Sequence, residues 1–128
     1  MYGEATQIKH IDDREPVGVV RHEQTRIVEV FMAGDVEHAK QIIRRWCKES
    51  PCCVTVTPTT FIYRGGEEAG FVVAFRNYPR FPTDHYTLRG MAADIAELLR
   101  GELGQDSYMS VDHDGMTTWS TTREGLES

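Results

Sequence analysis

Apolar residues recur at spacings of three and four in two segments, which is typical of helices that bury one face. Asp35 and Asp84 are suited to cap the start of these helices, while Ser50-Pro51 and Gly101 are suited to end them. The pattern therefore predicts helices over residues 36–48 and 85–100. The apolar face of the first helix consists of Val36, Ala39, Ile42, Ile43, Trp46 and Cys47. The apolar face of the second consists of Leu88, Met91, Ala92, Ile95, Leu98 and Leu99.

Around the two helices, β-branched and aromatic residues are concentrated in short runs, which is typical of strands. Asp114-Gly115 predicts a hairpin turn between the last two runs, and Pro58, which has no N–H group, predicts a sheet edge. The predicted strands cover residues 17–22, 25–32, 52–63, 70–78, 108–111 and 116–120.

The order strand, helix, strand, strand, helix, strand predicts an α+β, ferredoxin-like βαββαβ sandwich. Such a sandwich has an antiparallel sheet with two helices on one face, and the last hairpin adds a C-terminal extension to it. A chain of 128 residues fits one domain. We expect an N-terminal arm or short extra strand over 1–24, a single domain over 25–120 and a polar tail over 121–128.

The two helices would cover only one face of this sheet. The strands carry large apolar side chains at Phe61, Tyr63, Phe71 and Phe75, and any of them on the uncovered face would need a cover. A second copy of the chain supplies such a cover most simply. The sequence therefore predicts a homo-oligomer with these four residues at its interface.

The charge balance argues against nucleic acid as a partner, and the lack of a long apolar run argues against a membrane. The formal net charge is −6, whereas nucleic-acid binding draws much of its affinity from basic side chains. No apolar run approaches the roughly 18 residues needed to cross a membrane, and the first residues do not have the pattern of a signal peptide. We expect a soluble cytoplasmic protein that binds neither nucleic acid nor membrane.

The three cysteines, Cys47, Cys52 and Cys53, are an odd number and lack zinc-site spacing. We interpret them as buried or half-buried thiols in a reducing compartment. A disulfide between the two adjacent ones is possible but strained. We expect no cofactor.

A basic and aromatic run leads into the second helix. Arg76, Tyr78 and Arg80 can hold an anionic or aromatic ligand, and the helix start that follows favours anions. His85 lies at that start, where the helix dipole disfavours a charged imidazolium, so it is a weak candidate for a general base. We expect these four residues to bind a ligand; the alternative is a solvated loop.

Asp112-His113-Asp114 is the densest polar cluster in the chain. Two carboxylates and an imidazole can bind a divalent metal, but consecutive strand residues cannot all face one ion. We therefore interpret the cluster as an exposed hairpin tip and predict no metal site.

No motif is specific enough to name an activity. The lack of a credible nucleophile–base pair favours a non-catalytic, self-associating module that binds a small ligand or a protein partner. One alternative is a small cofactor-free enzyme of the dimeric ferredoxin-like type, with Arg76, Tyr78 and His85 around a pocket for a small metabolite. Another is an accessory inhibitor or immunity-type protein, because residues 101–128 carry six acidic groups and one basic group.

Overall fold

A computed structural model describes residues 5–8, 18–50 and 52–123. Five strands form one antiparallel sheet in the order β4-β5-β3-β6-β7, while β1 and β2 pair separately. The mixed fold of two helices and an antiparallel sheet is therefore confirmed. The elements are β1 (Ala5–Ile8), β2 (Gly18–Arg21), β3 (Ile27–Ala33), α1 (Val36–Glu49), β4 (Val54–Tyr63), β5 (Gly66–Arg76), α2 (His85–Leu103), β6 (Ser107–Asp112) and β7 (Met116–Thr121).

Both helices begin at the predicted caps, but α2 ends later than predicted. The Asp35 carboxylate accepts a hydrogen bond from the N–H of Glu37, and the Asp84 carboxylate accepts one from the N–H of Thr87. Gly101 lies inside α2, and Gly104, at a φ of 66°, is its C-cap. Leu103 packs against the core, so its burial favours another turn despite the helix-weakening effect of Gly101. None of the described helices is long and apolar enough to cross a membrane.

The core lies between the two helices and one face of the sheet. Strand alternation points every second residue of β3 and β5 toward the helices. The largest fully buried side chains are Phe71, Phe75, Met32, Ile42, Leu88, Ile95, Leu99, Val28, Val30 and Val73.

Two of the four residues predicted at an interface belong to this core. Phe71 pairs across the sheet with Met32 and Phe75 pairs with Val28, so both rings face the helices and are at most 1% exposed. The prediction is wrong for Phe71 and Phe75, because their side chains have no surface left for a partner.

The opposite face of the sheet, here called the reverse face, is apolar along its middle. Phe31 pairs with Val72 on one side and with Met109 on the other, and all three side chains are half-buried. Trp119 pairs with Met109 and is 50% exposed. The alternation of β4 places Phe61 and Tyr63, the other two predicted interface residues, on this same face.

The contact between Phe61 and Gly70 on the reverse face gives a stability test. A Cβ at position 70 would lie 2.4 Å from the Phe61 ring and 2.5 Å from the backbone oxygen of Met32. We expect Gly70→Ala to lower the free energy of unfolding by about 1–3 kcal/mol, measured by urea denaturation. Gly90→Ala is the control, because nothing lies within 4 Å of that Cβ and alanine stabilises an exposed helix by up to about 1 kcal/mol. Equal stability of the two variants would contradict this packing.

Candidate functional site

Asp112 is the one buried charged residue in the part of the chain that the structure describes, with 7% of its surface exposed. It is the last residue of β6 and pairs with Val28. Strand alternation therefore places its side chain on the helix-facing side, together with Tyr108 and Ser110. A carboxylate in this position needs partners, because an unpaired buried charge is strongly destabilising.

Three groups surround the Asp112 carboxylate. The His85 Nε2 lies 2.8 and 2.9 Å from its two oxygens, and the backbone N–H of Asp114 donates a hydrogen bond of 2.9 Å. The Arg89 Nε lies 2.7 Å from Oδ2. His85 and Arg89 are four residues apart in the first turns of α2, so both project from one side of the helix toward β6.

These partners decide the charge state of Asp112. Burial by itself raises the pKa of the carboxyl group. The hydrogen bonds from the Asp114 N–H and the His85 ring, together with the electrostatic effect of His85 and of the Arg89 guanidinium, outweigh burial, so the pKa of Asp112 is lower than usual. The group is therefore ionised at neutral pH and anchors the His85 ring and the Arg89 guanidinium.

The surroundings of His85 do not suit the predicted role of a general base. Its Nε2 faces Asp112, and its Nδ1 lies 3.4 Å from a carboxylate oxygen of Asp114. A general base needs a ring nitrogen that faces the substrate, whereas both nitrogens of His85 face carboxylates. The geometry shows His85 as a hydrogen-bond partner of Asp112.

Arg89 is the side chain of this group that can reach a ligand. It is 43% exposed, its Nε faces Asp112, and its two terminal nitrogens have no ion-pair partner among the described residues. A guanidinium fixed in this way presents a planar pair of donors that matches a carboxylate.

A cavity of about 150 Å³ lies beside Arg89 and Asp112, between α2 and the β6–β7 hairpin. It is left open because Ala93, Ser110 and Thr118 have short side chains at the point where helix and strands face each other. Its lining residues are Val28, Arg89, Ala93, Tyr108, Ser110, Asp112, Met116 and Thr118.

The structure brings Arg76 and Tyr78 together through a hydrogen bond between their side chains, but it does not bring all four predicted ligand-binding residues to one place. Arg76 donates a hydrogen bond of 2.8 Å to the Thr55 hydroxyl, and Tyr78 packs on Phe81 with 5.4 Å between the ring centres. Arg80 is exposed, and its backbone oxygen lies 3.5 Å from a terminal nitrogen of Arg21. His85 instead joins Asp112, so the basic and aromatic run forms no single site.

The predicted exposed hairpin tip is confirmed in part. Asp114 and His113 are exposed, and the His113 Nε2 lies 2.6 Å from Glu29. The prediction is wrong for Asp112, whose burial follows from its alternation with Tyr108 and Ser110. Within residues 5–8, 18–50 and 52–123, no group of three or more His, Cys, Asp or Glu side chains could hold a metal ion.

The lowered pKa of Asp112 predicts a pH-dependent contribution to stability. A group whose pKa is lower in the folded state stabilises the fold above its unfolded pKa of about 4, and this contribution is lost as the pH falls from there through the lower folded-state pKa. We expect Asp112→Asn to lower the free energy of unfolding by about 1–3 kcal/mol at neutral pH. In urea denaturation at a series of pH values, the difference from the wild type should shrink in acid.

Asp114→Asn is the matched control for this experiment. The Asp114 side chain is 76% exposed, and asparagine before Gly115 suits the same turn, so its effect should stay within about 0.5 kcal/mol. A difference between Asp112→Asn and the wild type that is constant from neutral to acid pH would contradict the account.

Comparison with known proteins adds a likeness of fold. No family model and no curated protein matches the sequence. A phage SAM lyase in its apo state has 14% identity and a TM-score of 0.59, and the match covers 80% of this chain and 92% of that one. A phage SAM lyase in complex with S-methyl-5'-thioadenosine has 13% identity and a TM-score of 0.60, covering 80% and 93%. At these identities, the likeness establishes a shared fold.

Proposed function

We propose that this protein is a small enzyme that acts on S-adenosylmethionine, or a closely related sulfonium nucleoside, and releases a thioether nucleoside. The observation that carries the proposal is the likeness of fold to SAM lyase structures, which extends over 80% of this chain and 92–93% of those chains. The proposal takes up the alternative of a small cofactor-free enzyme and prefers it to a non-catalytic module.

The strand order supports the finer description of this fold as a ferredoxin-like βαββαβ sandwich. Without β7, the order is β4-β5-β3-β6, with α1 connecting β3 to β4 and α2 connecting β5 to β6. In this description, β7 adds an edge strand through its hairpin with β6.

The proposed reaction makes modest demands on the protein. A sulfonium already carries a good leaving group, because its positively charged sulfur becomes a neutral thioether when it leaves. The bond between sulfur and the four-carbon chain breaks, and its electron pair goes to sulfur. The chain then either bonds to its own carboxylate oxygen or loses a proton. Such a reaction needs a protein that binds and orients the substrate more than one that supplies a nucleophile.

In this proposal, Arg89 binds the carboxylate of the amino-acid part of the substrate. Its terminal nitrogens are the donors, while Asp112 holds the guanidinium through Nε and His85 holds Asp112. A cavity of about 150 Å³ is smaller than a whole sulfonium nucleoside, so the nucleoside extends beyond the cavity mouth.

The direct test is to incubate the purified protein with S-adenosylmethionine and to detect S-methyl-5'-thioadenosine and the four-carbon product by chromatography and mass spectrometry. Loss of a charge-assisted contact of about 1.5–3 kcal/mol predicts that Arg89→Gln lowers kcat/KM about 10- to 100-fold. Arg64→Gln, in the exposed β4–β5 turn, is the matched control and should leave kcat/KM unchanged.

Two results would contradict the proposal in different ways. Folded wild-type protein that gives no product above the uncatalysed rate would exclude the activity. If calorimetry then shows that S-adenosylmethionine or S-methyl-5'-thioadenosine binds without turnover, the protein is a binding module instead. Equal kinetics of Arg89→Gln and the wild type would remove Arg89 from the site but leave the activity in place.

We also propose that a second copy of the chain covers the reverse face. Neither helix packs on this face, and its middle is formed by Phe31, Val72, Met109 and Trp119, all half-buried or exposed. A contiguous apolar patch of this kind is typical of an interface rather than of a monomer surface.

Substitution of Trp119 tests the self-association. Because its side chain is 50% exposed, Trp119→Lys should leave the fold intact and convert the oligomer to a monomer, as measured by size-exclusion chromatography with light scattering. Tyr86→Lys, at an 87% exposed position on α2, should not change the mass. A wild-type protein that is monomeric at tens of micromolar would contradict the proposal.

A further inference from the structure

A second cavity, of about 440 Å³, lies between α1 and the edge strand β4, and we call it the α1–β4 groove. It shares no lining residue with the cavity at Arg89. The α1–β4 groove is lined by Lys40, Ile43, Arg44, Cys47, Cys52, Cys53, Val54 and Val56.

Two thiols meet in this groove. Cys47 lies in the last turn of α1 and Cys52 just before β4, and their sulfur atoms are 3.2 Å apart. Cys53 also lines the groove, but it is exposed, and its thiol makes a hydrogen bond with the Tyr78 side chain. The fold therefore places Cys47 and Cys52, and not the two cysteines that are adjacent in sequence, as the pair that can form a disulfide bond.

The two thiols of this pair are not equivalent. Burial, the hydrogen bond to Cys47 and the electrostatic effect of the two neighbouring cysteines, Cys47 and Cys53, raise the pKa of Cys52 to about 12. Cys52 therefore keeps its proton at neutral pH, and either sulfur can be the donor in the contact between the two thiols. This leaves Cys47 as the attacking sulfur and Cys52 as the one that acts second.

The groove also carries positive charge. Lys40, Arg44 and Cys47 recur at spacings of four and three, so they lie along one side of α1. Lys40 pairs with Glu37 at 2.9 Å, whereas Arg44 has no ion-pair partner among the residues that the structure describes. An anionic molecule that enters the groove meets the Arg44 guanidinium next to the thiols.

We propose that Cys47 and Cys52 form a dithiol site that exchanges with small disulfides carrying carboxylates, which Arg44 holds in the α1–β4 groove. The Cys47 thiolate attacks one sulfur of the disulfide, forms a mixed disulfide and releases one thiolate. Cys52 then loses its proton to that thiolate or to water and attacks the Cys47 sulfur. This step forms the Cys47–Cys52 bond and releases the second thiol, so the protein loses two electrons and the small disulfide gains them.

Three disulfide probes of different charge test the site and its ligand class: glutathione disulfide is anionic, hydroxyethyl disulfide is neutral and cystamine is cationic. The folded protein is treated with each probe, quenched with acid, alkylated and mapped by mass spectrometry. We expect a Cys47–Cys52 cross-link that dithiothreitol reverses, formed fastest with glutathione disulfide and slowest with cystamine. Cys53→Ser should form it equally well.

The charge contribution is tested by two matched variants of α1. Arg44→Gln should reduce the rate ratio of glutathione disulfide to hydroxyethyl disulfide several-fold. Lys48→Gln, which removes the same charge from an exposed position outside the groove lining, should leave the ratio unchanged. Thermal melting of each variant verifies that the protein is folded.

Two outcomes would overturn the proposal. Mixed disulfides at Cys53 without a Cys47–Cys52 cross-link would exclude the dithiol site. A cross-link that forms at the same rate with all three probes would exclude the preference for anionic disulfides. Neither result depends on activity toward S-adenosylmethionine, so the dithiol site and the proposed function are tested independently of each other.

Discussion

The Asp112 carboxylate ties the start of α2 to the end of β6, and the candidate site depends on this contact. Removal of a charge from water costs several kcal/mol per ion unless close partners replace the lost hydration. His85, Arg89 and the backbone of Asp114 are those partners. Because they must stay near the carboxylate, Arg89 is held over the cavity at a fixed orientation instead of moving freely in solvent. The short side chains of Ala93, Ser110 and Thr118 then leave space for a ligand beside the guanidinium.

Periodicity and capping predicted most of the fold. The two helices start where Asp35 and Asp84 predict, and the strand that contains Pro58 lies at a sheet edge, where no neighbour needs the missing N–H group. The end of α2 was mispredicted, because glycine has only a local helix-weakening effect of about 1 kcal/mol. Burial of Leu103 against the core is a tertiary effect that the local pattern does not contain.

The candidate site was predicted less well than the fold, because its side chains are far apart in the sequence and local patterns do not show which of them converge. His85 was identified as a candidate, but its partner Asp112 lies 27 residues away and was interpreted as part of an exposed turn. Alternation from Tyr108 through Ser110 was the signal that could have placed Asp112 inside. Phe71 and Phe75 show the same difficulty: alternation puts them on one face together, but only the position of the helices decides that this face is the core.

The central claim is that Asp112 holds Arg89 as the receptor for a substrate carboxylate. Calorimetry with S-adenosylmethionine and its decarboxylated analogue, on the wild type and on Arg89→Gln, tests it most directly because the two ligands differ only in that carboxylate. The account predicts that the wild type binds S-adenosylmethionine about 10- to 100-fold more tightly than the analogue and that Arg89→Gln binds the two equally. Equal affinities for the two ligands in the wild type would contradict it.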